Sequence, residues 1–267
     1  MHIHQLGEGQ PETAVVAGIH GDEPCGVRAV ERLLAEEPAV DRPVKLIIAN
    51  EEALDEEERF IDEDLNRAFP GDLDAGSHES RLAHELAREI QGCTVLALHS
   101  TQSYAEPIVV IDTIDEIARS IAPLLPTDVV IETDEHTEGR LIEHAHTIEV
   151  ECGLQGTDQA AENAYWLLRA FLAATNVLPG PLSDDRLTTP ERSEVQVFRL
   201  DGPIPKPPGT AYDVVVPNFE KVEAGERFAI ADGEALTADE PFYPVLLSAE
   251  GYDEIFGYAA TAAGTLE

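Results

Sequence analysis

Short apolar runs alternate with amphipathic stretches through the first two thirds of the chain. Thr13–Ile19 (Thr-Ala-Val-Val-Ala-Gly-Ile) is continuously apolar, as a strand covered on both faces requires. From Cys25 to Glu36 the apolar residues Val27, Val30, Leu33 and Leu34 fall on one helical face, and Pro24 suits the first turn. Val44–Ala49 predicts a second strand and Thr94–Leu98 a third, with an amphipathic helix over His78–Ile90 between them. The acidic stretch Glu51–Gly76 has no sustained period and reads as a loop. Pro107–Ile111 and Asp128–Ile131 predict strands on either side of a helix near Asp115–Leu124. His146–Val150 predicts another strand, and Asp158–Ala174 a long helix. Strands that alternate with helices imply an α/β layered fold with a mostly parallel sheet.

The texture changes after Asn176. Leu178-Pro-Gly-Pro-Leu is a breaker cluster. Beyond it come short β-like segments at Glu194–Leu200, Tyr212–Val216, Arg227–Ala231 and Tyr243–Ser248, punctuated by Pro and Gly. The expected division is therefore a larger unit over 1–184 and a small β-rich unit over 185–267.

Composition narrows the function classes. The 267 residues are 43% hydrophobic, enough for a true core. Asp and Glu number 53 against 17 Lys and Arg, a formal charge of −36, so nucleic acid is excluded as a partner for want of a basic patch. No apolar run approaches the ~18 residues of a membrane span, and Met1-His2-Ile3-His4-Gln5 has no leader pattern. Cys25, Cys93 and Cys152 form an odd set without CxxC, which points to a reducing cytoplasm rather than a disulfide framework. The acid excess runs along the whole chain, and only Lys45, Lys206 and Lys221 are lysines. Such self-repulsion is tolerable where salt screens it, with a screening length of ~3 Å at 1 M, so a high-salt cytoplasm is expected.

Two histidines come directly after apolar strands. His20 and Glu23 form H-x-x-E after the first, and His99 ends the third. In open α/β sheets such positions gather beyond the carboxyl ends of strands, and His₂Glu is a recognised catalytic zinc set. Loop or core histidines are the plain alternative. Arg59 and Arg67 stand among carboxylates in Arg-Phe-Ile-Asp-Glu-Asp-Leu-Asn-Arg. They either bind a carboxylate bidentately or pair with Asp62, Glu63 and Asp64 on the surface. Glu149 and Glu151 alternate on one strand and share a face, where one of them could act as a general base. An edge strand with two solvated acids is the competing account.

Taken in order, these motifs resemble the succinylglutamate desuccinylase/aspartoacylase family, a branch of the zinc carboxypeptidase-like fold. His-Gly-Asp-Glu is similar to the family's H-G-x-E ligand pair, and Leu-His-Ser-Thr to its third ligand, with Ala97 where an Asp commonly stands. The resemblance implies one Zn²⁺ on His20, Glu23 and His99. It implies that Asn66 and Arg67 of Asp-Leu-Asn-Arg bind the substrate carboxylate and that Arg59 polarises the scissile carbonyl. The family's catalytic Glu in E-x-G falls on Glu151, with Glu149 as the competitor, and the Tyr-Pro-Val…Tyr stretch makes Tyr252 a residue that reaches the site.

The expected architecture is a three-layer α/β/α sandwich with a mixed, mostly parallel sheet plus the small β-rich unit. The expected activity is removal of an acyl group from a small acidic N-acyl amino acid or related amide. The alternatives are a metallocarboxypeptidase acting on short peptides, an ester or lactone hydrolase, and an inactive metal-binding module. His136, His144 and His146 flank Glu138 and Glu143 and raise a second metal, against an ordinary loop and strand. Cys152 reads as a buried filler, Trp166 as core, and Lys206 as a loop lysine.

Overall fold

The structure is a computed structural model and describes residues 1–134, 136, 140–144, 146–179 and 194–267. The strands and helices run in chain order as β1 His2–Leu6, β2 Thr13–Ala17, α1 Cys25–Ala35, β3 Val44–Ile48, α2 Glu51–Glu56, α3 His78–Glu89, β4 Thr94–Thr101, β5 Ile108–Ile111, α4 Glu116–Ile121, β6 Val129–Glu132, β7 His146–Leu154 and α5 Asp158–Ala174. Then come β8 Val195–Pro205, β9 Tyr212–Val214, β10 Arg227–Ala231, β11 Glu234–Thr237, β12 Tyr243–Val245 and β13 Ile255–Leu266. Ten strands form one mixed sheet in the order β1-β3-β2-β4-β7-β5-β6-β8-β13-β12, and β11-β10-β9 form a second, antiparallel sheet.

Period-two alternation makes this sheet the middle layer. Val15 and Ala17 of β2 face the side covered by α1 and α5, together with Leu46, Leu96, Leu98 and Val150. Ala14 and Val16 face the opposite side, where Leu82, Ala83, Leu86 and Ile90 of the α3 region pack with Ile47, Val95 and Ala97. On α5, Leu167, Leu168, Phe171 and Leu172 are fully buried, each stabilising the fold by roughly 1.5–3 kcal/mol.

The α/β layering is as expected, and several elements differ in detail. Glu51–Glu56 is a helix rather than loop, because the Asn50 side chain caps it by accepting from the Ala53 N–H. β1 pairs antiparallel with β3 and extends the sheet, although His-Ile-His-Gln-Leu has little apolar content. The boundary expected at 184/185 lies outside the described residues. Beyond it, β8 runs parallel to β6 and carries β13 and β12 on its far edge, so these strands continue the large sheet. Among the described residues no helix is long and apolar enough to cross a membrane.

What matters for chemistry is the centre of the sheet. β2, β4 and β7 are adjacent and parallel, so their carboxyl ends open on one edge. His20 lies just past β2, and His99 and Glu151 lie within the last four residues of β4 and β7.

Candidate active site

The turn after β2 is shaped by one glycine. A Cβ on Gly21 would lie 2.0 Å from the Ala53 carbonyl oxygen and 2.4 Å from that of Glu58, so no larger residue fits between His20 and Asp22. The turn closes with the Glu23 N–H on the His20 carbonyl at 3.3 Å, and α1 starts two residues later. His20 and Glu23 thereby face one point. His99, inside β4, reaches the same point from the neighbouring strand.

All three side chains are buried, with His20 at 3%, Glu23 at 4% and His99 at 4% exposure. Nδ1 of His20 lies 2.8 Å from Glu23 Oε1, and Nδ1 of His99 lies 3.1 Å from Glu23 Oε2. Donor atoms of the three residues lie within 4.8 Å of one another, and no other such cluster occurs among the described residues. His99 Nε2, Ser100 Oγ and Glu151 Oε2 are buried here without a hydrogen-bond partner in the structure. Two imidazoles and one carboxylate with unpaired polar atoms around them fit a divalent cation, and the N,N,O donor set is one that zinc takes.

The surrounding groups fix these three. Asp64 Oδ1 meets His20 Nε2 at 2.9 Å, the outer carboxylate–histidine contact that orients a metal-binding imidazole. In the sequence Asp64 stands out only as the first residue of Asp-Leu-Asn-Arg, and the structure gives it this place. Arg59 donates to Glu23 Oε1 at 2.9 Å and to Asp64 Oδ2 at 3.3 Å, and the Ser100 N–H donates to Glu23 Oε2 at 3.1 Å. Burial opposes charge on His99, but the Glu23 carboxylate overrides it and lifts the imidazole to about 9. The same balance raises His20 and holds Asp64 and Glu23 below the usual carboxylate range.

This charge pattern has a measurable consequence. In the cation-free chain His99 keeps a proton up to about pH 9, and a cation held by its imidazole would have to displace that proton. Zinc affinity is therefore expected to rise from pH 6 to pH 8, with proton release on binding, in competition titrations and calorimetry in buffers of different ionisation heat. A flat profile without proton release would contradict the arrangement. The linked stability has the opposite sense. The raised His99 adds stability to the cation-free protein that is full below about pH 6.5 and is lost as pH rises through about 9.

Glu151 sits beside His99, its register partner across β4 and β7. A turn at Gly153 comes next, with φ +123° and a Cβ position 2.6 Å from the Ala105 carbonyl oxygen. Burial, with smaller contributions from Glu23 and Glu149, pushes the Glu151 carboxyl up to about 7 against the pull of His99. Glu149, on the same face of β7, lines the same pocket and has a different hydrogen-bond partner. It accepts from Asn66 Nδ2 at 3.2 Å, and its register partner on β4 is Ala97. The carboxylate next to this part of β4 is thus carried by β7.

A pocket opens from these groups, lined also by Asn66, Arg67, Arg140, Gln155 and Tyr252. The Asn66 amide is held internally, between Glu149 and the Leu141 N–H at 2.8 Å. Arg67 lies at the pocket wall with Nη1 on the Asn66 carbonyl at 2.7 Å. Arg140, which carried no motif signal, faces the same pocket. Its guanidinium approaches the Tyr258 hydroxyl at 3.4 Å, and burial and the nearby Arg140 charge lower Arg67. Two guanidiniums so close, in a chain of net charge −36, form a focused positive wall. Burial raises the Tyr252 phenol, so it stays neutral.

The remaining candidates disperse. His146 lies 3.7 Å from Asp115, His144 stacks near Phe69, and His136 lies near Tyr258, so they share no centre. Glu138 lies outside the described residues. Cys152 is buried, Trp166 is partly buried and donates to Glu162 at 2.8 Å, and Lys206 donates to the Ala249 carbonyl at 2.7 Å.

Comparison with solved structures finds the same fold. The product-bound ectoine utilization protein EutE (DoeB) from Ruegeria pomeroyi superposes with a TM-score of 0.76 at 17% identity, covering 97% of this chain and 87% of that one. A succinylglutamate desuccinylase from Silicibacter sp. TM1040 gives 0.72 at 19% identity over 98% and 88% of the two chains. Murine aminoacylase 3 gives 0.72 at 20% identity over 97% and 98%. At these identities the likeness is one of fold. The sequence has no significant match among curated proteins. Residues 9–124 match the succinylglutamate desuccinylase/aspartoacylase catalytic domain. That segment holds His20, Glu23, Arg59, Asn66, Arg67 and His99, and over these residues the chain is similar to that catalytic domain.

Proposed function

We propose that the protein is a zinc-dependent amidohydrolase that removes the acyl group from a small N-acyl amino acid bearing a carboxylate. The observation that carries this reading is the placement of Glu151 beside the buried His20–Glu23–His99 set, at the head of an arginine-walled pocket. His20, Glu23 and His99 would hold the cation, which when bound supplies Lewis acidity toward water and carbonyl oxygen.

The chain's own groups account for the rest. Glu151 takes a proton from the attacking water and returns it to the departing amine, a task suited to a carboxyl poised near neutrality. Arg59 uses two of its nitrogens to hold Glu23 and Asp64, and at the pocket lining its guanidinium charge would stabilise the charge that develops on the carbonyl oxygen. Arg67 and Arg140 bind the substrate carboxylate, while Asn66 ties their two segments together through Leu141 and Glu149. Tyr252 closes the outer side as a neutral hydroxyl. The names of the structural neighbours, a succinylglutamate desuccinylase and an aminoacylase among them, support an N-acyl amino acid as substrate. The charge of −36 supports work in a high-salt cytoplasm, where distant acids are screened from the pocket.

The test is metal analysis of the purified protein with hydrolysis of acyl-aspartate, succinylglutamate and dipeptides in molar KCl. Stoichiometric zinc with release of the free amino acid from an acyl substrate is expected. Stoichiometric zinc with turnover of dipeptides alone would favour a carboxypeptidase, and no turnover at all an inactive module. Arg67→Ala is expected to raise KM roughly 10- to 100-fold for carboxylate-bearing substrates, as the loss of a charge-assisted contact of ~1.5–3 kcal/mol requires. An unchanged KM would remove Arg67 from the binding wall.

A further inference from the structure

Arg59 and Asp64, which brace the His20–Glu23 pair, lie at the two ends of a loop without regular secondary structure. Apolar packing does little to hold that loop. Phe60, Asp62 and Glu63 are exposed, and Ile61 is only half-buried. Its backbone is fixed instead by one side chain from α3. The Glu79 carboxylate is fully buried at 0% exposure. Its Oε1 accepts from the Ile61 N–H at 2.7 Å and from Asn50 Nδ2 at 3.1 Å. Its Oε2 accepts from the N–H groups of Asp62 at 3.0 Å and Glu63 at 3.2 Å. Three successive backbone donors on one carboxylate make a rigid cradle, and Asn50 ties it to the end of β3. The loop answers with Asp62 Oδ2 accepting from the His78 N–H at 2.7 Å. Burial works against the charge on Glu79, but these donors keep its carboxyl below the usual range.

We propose that Glu79 is a positioning residue for the reaction, clamping the 61–63 backbone so that Arg59 and Asp64 reach Glu23 and His20. It touches neither substrate nor cation and acts through those two groups. Asn66, beside Arg67, has further contacts of its own with Leu141 and Glu149, in addition to its N–H on Asp64 Oδ1 at 2.8 Å. The loss of Glu79 therefore falls first on the centre, and the contacts of Asn66 with Leu141 and Glu149 limit its effect on the carboxylate wall. This inference rests on the proposed function for its kinetic part and stands apart from it for metal binding.

Glu79→Gln keeps the shape but turns an N–H₂ toward one of the two donor pairs. Zinc affinity is expected to fall roughly 10- to 100-fold, the cost of a lost outer partner. The value of kcat is expected to fall about tenfold or more with KM within about twofold, the signature of a group that serves the reacting centre rather than ground-state binding. Hydrogen exchange is expected to speed up at Ile61, Asp62 and Glu63 while β2 and β4 stay protected. In a cycle with Asp64→Asn, the double variant is expected to bind zinc no worse than the weaker single variant. Glu79→Asp, which retains the charge one methylene short, is expected to lie between wild type and Gln, and serves if the Gln variant does not fold. Wild-type zinc affinity in a folded variant, full additivity with Asp64→Asn, or a loss confined to KM would overturn the proposal. Weakened zinc binding in a protein that hydrolyses no acyl substrate would leave the clamp intact and reject the function.

Discussion

Glu151→Gln is expected to lower kcat by roughly 10³-fold, within the range of ~10²–10⁴ that a positioned general base provides. Zinc should still bind one per chain, because Glu151 is not among the three converging side chains proposed to hold it. The amide of Gln fills the same space beside His99 but cannot accept and return a proton at neutral pH. The pH profile is set by the same group. The carboxyl must be ionised to accept a proton, so kcat/KM rises with pH as Glu151 titrates. Burial places that step at about 7 in the cation-free chain, and a bound cation draws it lower. The acid limb should therefore lie below pH 7 in wild type and vanish in the variant. Glu149→Gln separates the two strand acids. Glu149 holds Asn66 and so acts on the binding wall, which predicts a change in KM rather than loss of turnover. A near-normal kcat for Glu151→Gln with full zinc loading would move the base to Glu149.

Glu23→Gln is expected to remove both zinc and activity. Glu23 is the hub of the centre. It meets His20, His99, Arg59 and the Ser100 N–H through its two oxygens. An uncharged amide loses the anionic ligand and presents N–H₂ to groups that donate. Zinc affinity should fall by more than the ~10–100-fold that an outer partner costs. Activity should reach background at zinc concentrations that saturate wild type. Metal content after dialysis, measured beside the unfolding midpoint, separates loss of the site from loss of the fold. A folded variant that retains stoichiometric zinc would show that Glu23 is not a ligand.

Much of this site was legible because its residues sit at the ends of strongly apolar strands. Thr13–Ile19 and Thr94–Leu98 announce themselves by composition, and a histidine stands directly after each. The parallel pairing of β2, β4 and β7 then brings distant positions together, as strand order in such sheets demands. Elements without apolar periodicity were silent. β13 is built largely of Ala, Gly and Thr, and β1 presents two histidines, so neither carries a strand pattern. The acidic helix Glu51–Glu56 buries only Ala53 and depends on its Asn50 cap. Arg140 sits in a segment with no motif, and only the scarcity of arginine in so acidic a chain could have singled it out. Glu79 reads as one more acid on an amphipathic helix. Its role depends on backbone N–H groups from a loop 16 to 18 residues away, which side-chain patterns do not encode.

The central claim is that His20, Glu23 and His99 share one divalent cation. Anomalous diffraction at the zinc edge from crystals grown with zinc tests it directly. One strong peak is expected about 2.0–2.2 Å from an imidazole nitrogen of each histidine and from a Glu23 oxygen. A zinc-saturated crystal with its peak elsewhere, and none between these three side chains, would contradict it.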